Sequence, residues 1–181
     1  MKLISTQRLD LYCLTQTELF SMGNDRDLFA ARSFSNPHGV ISNENLPRTY
    51  PIKDVGENPD NIRWYYRMII NRESNVAVGS VSFHKAPDER GMLEIGIGIA
   101  DAERGQGFAK EALLGMWNWA ARQPGVKYLR YTVSPNNAPS LAIINKFGFP
   151  LVGEQVDEDG SQELIYETSV PDFFLLSQSI S

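Results

Sequence analysis

A short glycine turn, Arg104-Gly105-Gln106-Gly107-Phe108-Ala109, sits between an Ile/Gly-rich strand pattern and an amphipathic helix pattern. It constrains the fold of this chain more than any other stretch. Upstream, Met92 to Ile99 reads as a strand, with the repeat Glu94-Ile95-Gly96-Ile97-Gly98-Ile99. Glycines weaken a strand interior, so they mark a bulge or a close approach of backbones. Downstream, Ala109, Ala112, Leu113, Met116, Trp117 and Ala120 recur at steps of three and four and build one apolar helix face. Pro124-Gly125 ends that helix, and Val126 to Val133 forms the next strand, with Leu129, Tyr131 and Val133 on one side. Strand, helix, strand in this order implies a right-handed crossover and a locally parallel pair.

The turn has a chemical reading beside the structural one. Glycines leave backbone N–H groups uncovered by side chains, and the start of a helix gathers orphan amides and a positive dipole end that favour phosphate. An ordinary strand-to-helix turn looks the same in isolation. Arg104 at its mouth and a second motif about one βαβ unit downstream favour the phosphate reading.

The flanking elements complete a mixed α/β pattern in a single domain spanning residues 1–181. Leu9, Leu11 and Leu14 suggest a first strand, followed by a helix start at Thr15 with Glu18 as its capping-box partner. Residues 21–61 are rich in Asn, Pro, Gly and Asp and resist assignment; long stretches of this kind often cover sites. Trp64 to Ile70 and Val76 to Phe83 read as strands joined by a turn at Arg72-Glu73-Ser74-Asn75, and with Met92 to Ile99 they suggest three antiparallel strands in succession. Pro139 fits the first turn of another helix that buries Leu141, Ile144 and Phe147 and closes at Gly148. A final hairpin pairs Leu151–Val156 with Glu163–Ser169, and Phe173-Phe174-Leu175-Leu176 is expected as a contact surface or a closing strand.

With 181 residues the chain can bury a full core. Its single cysteine, Cys13, makes no internal disulfide and reads as a small buried hydrophobe. His38 and His84 lie far apart, so no metal site is expected. Neither a signal-peptide pattern nor a membrane-length apolar run occurs, and a soluble cytoplasmic protein is expected. The net charge of −5 argues against nucleic acid. After Lys146 there is no Lys, Arg or His, whereas seven of the 22 acidic residues lie there, leaving 15 acids against 17 bases before it. This asymmetry suits an anionic cofactor and a cationic substrate, or else a solvated acidic surface.

Two motifs in order carry a resemblance. Arg104-Gly105-Gln106-Gly107-Phe108-Ala109 is followed by Asn137-Ala138-Pro139-Ser140 and Lys146-Phe147-Gly148-Phe149. Together they resemble the Gcn5-related N-acetyltransferase (GNAT) superfamily, whose pattern is Arg/Gln-x-x-Gly-x-Gly/Ala, then Asn-x-x-Ser, then Lys-x-Gly-Phe. Thr6-Gln7-Arg8-Leu9-Asp10-Leu11 and Val78-Gly79-Ser80-Val81 are similar to the branch that acetylates ribosomal-protein N-termini. The resemblance implies a mostly antiparallel central sheet with one splayed parallel pair and helices on both faces. It also implies acetyl-CoA as cosubstrate, an amine acceptor and a monomer or homodimer.

In that family the amides at Gln106, Gly107, Phe108 and Ala109 would cradle the diphosphate beside Gly105, with Arg104 adding charge and Lys146 closing the second motif. The pantetheine arm would bond to backbone near Ile97 and Ile99, and the Asn137 amide would hold the cofactor. Direct attack by an amine on the thioester requires a base. Glu94 is the first candidate and His84 the second, the alternatives being a solvent-face carboxylate and a surface histidine. Many members place a tyrosine four residues after Ser140 as the general acid, and this chain has Ile144 there. Ser140 takes that role in the ribosomal-protein branch, with helix capping or cofactor contact as the competing reading. Tyr131 and Tyr128 are outside possibilities, and Glu111 reads as structural. A catalytically inactive acyl-CoA-binding sensor or interaction module is the alternative function, supported only by Ile144.

Overall fold

The computed structural model describes residues 3–21, 32–41, 49–157 and 160–180. The backbone gathers into two compact units: Met1–Ala86 with Ile97–Met116, and Pro87–Gly96 with Trp117–Ser181. Among the described residues the architecture is mixed α/β, mostly antiparallel with one parallel pair.

In the first unit, β1 (Ile4–Ser5), β2 (Leu9–Cys13), β3 (Arg67–Asn71) and β4 (Val76–Phe83) pair antiparallel in sequence order. Leu9, Leu11 and Cys13 alternate into the core as a strand period requires. The capping box forms as its sequence implies. Glu18 N–H donates to Thr15 Oγ1 at 3.2 Å, and Thr15 N–H donates to Glu18 Oε2 at 2.7 Å. That opens α1 (Gln16–Ser21) and seats Leu19 in a cluster with Leu14, Phe34, Val55, Tyr65 and Met68.

Two expectations shift here. Within the unassigned 21–61 stretch, α2 covers Thr49–Glu57, while residues 22–31 and 42–48 fall outside the described residues. The strand expected from Trp64 begins only at Arg67, because Pro59–Trp64 winds as a 3₁₀ turn led by Pro59. Trp64 and Tyr65 are aromatic because they are core residues, not because they lie in a strand.

β5 (Met92–Ile99) runs through both units, as does α3 (Phe108–Ala120). In the first unit the position that requires a glycine is Gly79 of β4, where a Cβ would collide with the carbonyl oxygen of Gly98, whereas a Cβ on Gly98 itself would meet nothing within 4 Å. The Ala100 N–H donates to Val78 O at 2.9 Å beside it.

In the second unit, β5 pairs parallel with β6 (Tyr128–Val133), from Met92↔Tyr128 to Ile95↔Tyr131. β6 pairs antiparallel with β8 (Gln162–Ser169), and β7 (Leu151–Val156) closes the order on the far side of β8. The strand expected from Val126 starts two residues later, at Tyr128. α4 (Ala138–Phe147) ends at Gly148, whose φ of 70° is the left-handed cap that glycine adopts without strain.

Residues 173–176 form neither a closing strand nor a wholly exposed surface. They belong to α5 (Val170–Ser177), where Phe173 is fully buried and Leu175 stays 68% exposed. Trp117 centres this core, with ring centroids at 4.8 Å from Phe147, 4.7 Å from Phe149, 6.2 Å from Tyr131 and 6.4 Å from Phe173. Such edge-on and tilted pairs match the ring quadrupoles and add about 0.5–1.5 kcal/mol each beyond burial.

Candidate active site

The glycine turn takes the conformation its residues demand. Gly105 and Gly107 have φ of 79° and 81°, where an L side chain is strained. Asp101–Glu103 winds a 3₁₀ turn ahead of them, and α3 begins at Phe108. The amide N–H groups of Gly105, Gln106, Gly107, Phe108 and Ala109 donate to no acceptor among the described residues. A Cβ on Gly105 would meet nothing within 4 Å, and one on Gly107 only Arg8 Nη2, at 3.5 Å. Five unused donors at the positive end of a helix, with open space over the glycines, fit a phosphate-bearing ligand.

Two arginines stand at this turn, and they are held differently. Arg104 is 69% exposed; its Nη2 lies 2.8 Å from Asp101 Oδ1, and its Nε donates to Ile99 O at 3.3 Å. Arg8 presses directly on the turn, donating from Nη1 to Gln106 O at 3.0 Å, with its guanidinium 4.8 Å from the Phe108 ring centre. Glu111 holds Arg8 in place and accepts from Thr6 Oγ1 at 2.6 Å. Burial alone would push the Glu111 carboxyl up, but the hydrogen bonds from Thr6 and Arg8 and the Arg8 charge hold it below the usual carboxylate range. Glu111 is thus structural, as expected, and Arg8 is the residue that sequence reasoning left out of the turn. Ile97 and Ile99 are half-buried in this unit, and His84 stands exposed just past the end of β4.

In the second unit the ladder between β5 and β6 stops at Ile95↔Tyr131, although β6 continues to Val133 against β8. Strand alternation divides the side chains. Leu93, Ile95, Leu129 and Tyr131 face the aromatic core, and Glu94, Arg130 and Thr132 face the other way. Glu94 is half-buried rather than a freely solvated surface acid, and its Oε1 accepts from Thr132 Oγ1 at 2.7 Å. Arg130 donates from Nε and Nη2 to Glu167 Oε2, at 2.9 and 2.7 Å, while Arg90 lies 3.0 Å from Glu167 Oε1. One acid of the acidic C-terminal stretch is therefore already neutralised.

On the core-facing side, burial pushes the Tyr131 phenol up, against a hydrogen bond with Ser140 that lowers it. Asn137 is the N-cap of α4, its Oδ1 accepting from Ser140 N–H at 3.2 Å. The capping role weighed for Ser140 thus falls to the Asn137 side chain. Lys146 is exposed in the last turn of α4, and Ile144 is fully buried. Glu94 and Tyr131 project from opposite faces of the β5–β6 pair, and Ser140 goes with Tyr131.

Comparison with known proteins decides the family. Residues 18–150 match the acetyltransferase (GNAT) domain. The chain belongs to that family. It is 36% identical over 86 residues to an N-acetyltransferase 9-like protein of Nematostella vectensis, covering 46% of this chain and 43% of that protein. The chain spans about half the length, or less, of the curated relatives it matches. In fold it is similar to a ribosomal-protein-S5-alanine acetyltransferase from Vibrio fischeri, with a TM-score of 0.65, 12% identity, and 96% and 99% of the two chains covered. A ribosomal L7/L12 alpha-N-protein acetyltransferase in complex with coenzyme A matches with a TM-score of 0.60 and 16% identity, over 93% of this chain and 98% of that one. Among the described residues no helix is long and apolar enough to cross a membrane, and no cluster of three or more His, Cys, Asp or Glu is poised to hold a metal.

Proposed function

We propose that this chain, acting as a single acetyltransferase domain, transfers an acetyl group from acetyl-CoA to a primary amine. One observation carries the reading: five consecutive amides, Gly105 to Ala109, without a protein acceptor among the described residues, at the N-terminus of a thirteen-residue helix. Those amides take the diphosphate of coenzyme A, with Arg104 and Lys146 adding charge. Backbone at Ile97 and Ile99 meets the pantetheine arm, and Asn137 contributes its amide.

In the reaction the amine nitrogen attacks the thioester carbonyl carbon and the C–S bond breaks. The amine proton passes to a base, Glu94 in this reading and His84 as the second candidate. The Ser140 hydroxyl donates a proton to the departing thiolate and regains one from solvent. The acceptor is a protein N-terminus or a small polycation. Solved relatives of the same fold named as a ribosomal-protein-S5-alanine acetyltransferase and a spermidine N-acetyltransferase supply the first acceptors to test.

Calorimetry with coenzyme A tests the cofactor reading, and absence of heat with folded protein overturns it. Thiol release from acetyl-CoA, measured with Ala- and Ser-initiated peptides and with spermidine, tests the transfer. Binding without turnover on any acceptor would favour an inactive acyl-CoA-binding module, the reading to which Ile144 in place of tyrosine points.

A further inference from the structure

We propose that Thr132 is a positioning residue for Glu94, fixing its carboxylate on the face of the β5–β6 pair opposite the aromatic core. This rests on the reading of Glu94 as the base.

The placement argues for it. The parallel ladder ends at Ile95↔Tyr131, so Thr132 lies one residue past the last paired position of β6. Its backbone is still fixed on the other side, in register with Ile165 of β8. A β-branched side chain on such a strand has few χ1 choices. Its single O–H is directed at Glu94 Oε1, at 2.7 Å. A base must hold its lone pairs at a set angle to the amine it deprotonates, and a hydrogen bond to one carboxylate oxygen restricts that angle.

Arg130 and Arg90 are both engaged by Glu167. Arg130, in register with Glu94, is committed to Glu167 through two N–H groups on one oxygen. Arg90 holds the other oxygen of Glu167, and Glu163, farther along β8 on the same face, accepts from Gln155 at 2.9 Å. The two arginines offset Glu167, and the hydrogen bond that β6 gives the Glu94 carboxylate comes from a neutral hydroxyl. A hydroxyl donating to a carboxylate favours its charged form, so losing it raises the pKa of the acid.

The experiment compares wild type, T132V, T132S and E94Q by two readouts. The first is the pH profile of kcat/KM for thiol release from acetyl-CoA with an Ala-initiated peptide or spermidine. The second is direct NMR titration of ¹³C-labelled glutamate carboxyls, with E94Q assigning the Glu94 signal. T132V is expected to move the Glu94 titration and the acid limb to higher pH and to lower kcat about tenfold, a fraction of what a positioned base contributes. KM for acetyl-CoA stays unchanged, and T132S restores both readouts. An unmoved Glu94 titration in T132V, or T132S as impaired as T132V, overturns the proposal. Retention of the wild-type pH profile by E94Q would instead remove Glu94 as the base, and the positioning role with it.

Discussion

The Arg8 guanidinium and the Glu111 carboxylate meet at 2.7 Å across 103 positions of sequence, and through them the segment before β2 is fastened to the first turn of α3. Glu111 also accepts from the Arg8 amide at 2.6 Å and from Thr6 Oγ1. Arg72 backs the same segment by donating to Thr6 O and Gln7 O. Because Arg8 in turn reaches Gln106 O, the carboxylate indirectly sets the shape of the glycine turn.

Replacing Glu111 by Gln keeps the shape but removes the charge. Arg8 is 45% exposed, so solvent screens the ion pair and most of the loss comes from the hydrogen bonds. We expect E111Q to cost about 1–2 kcal/mol at pH 7. The folded-state carboxyl sits below its ordinary value, so its contribution is present above the unfolded value of about 4.3 and fades as pH falls through the folded value. Urea unfolding at pH 7 and again below pH 4 should show the gap between wild type and E111Q closing in acid. A gap that persists there would contradict this account of Glu111.

Gly107 carries a different burden. Its φ of 81° and the open space above it allow the bare backbone to approach a ligand. G107V strains the turn by about 1–2 kcal/mol and places methyl groups over the unused amides. Coenzyme A affinity should fall at least tenfold by calorimetry, while the folded protein persists by circular dichroism. An unchanged affinity would mean that the turn does not hold the diphosphate.

α5 is a buried element, so its residues should differ sharply under truncation. Phe173 is fully buried against Trp117 and Phe149, and F173A should cost about 3–5 kcal/mol. Leu175, two residues on and mostly exposed, should lose no more than about 0.5 kcal/mol as L175A. Equal effects from the two would place the helix face wrongly.

These contrasts show which features a sequence reveals. The Thr15/Glu18 box, the Pro139 helix start and the Gly148 cap were legible because each is settled within four residues by backbone donors and φ preferences. β4 and β5 were bounded correctly by the turns on either side. α5 was not recognised, since four consecutive apolar residues carry no period. Yet Ser169-Val170-Pro171-Asp172 holds a usable start signal: Ser169 Oγ accepts from Asp172 N–H at 3.2 Å, and Pro171 sits in the first turn. Arg8 and Thr132 were invisible for another reason. Their partners are 103 and 38 positions away, and no local rule links an arginine before one strand to a turn before a distant helix.

Asn137 shows how a capping role and a binding role can be separated on one side chain. Its Oδ1 caps α4 through Ser140 N–H, whereas the cofactor reading calls on the amide N–H₂. N137D keeps an oxygen for the cap and adds favourable charge at a helix N-terminus, so thermal stability should stay within about 0.5 kcal/mol of wild type. It removes the donor and brings a negative charge toward an anionic cofactor, and coenzyme A affinity should fall severalfold. N137A loses the cap as well and should cost about 1 kcal/mol in stability. If N137D bound coenzyme A as wild type does, Asn137 would be a cap alone, and the cofactor's hold would have to come from the glycine turn and its neighbouring cations.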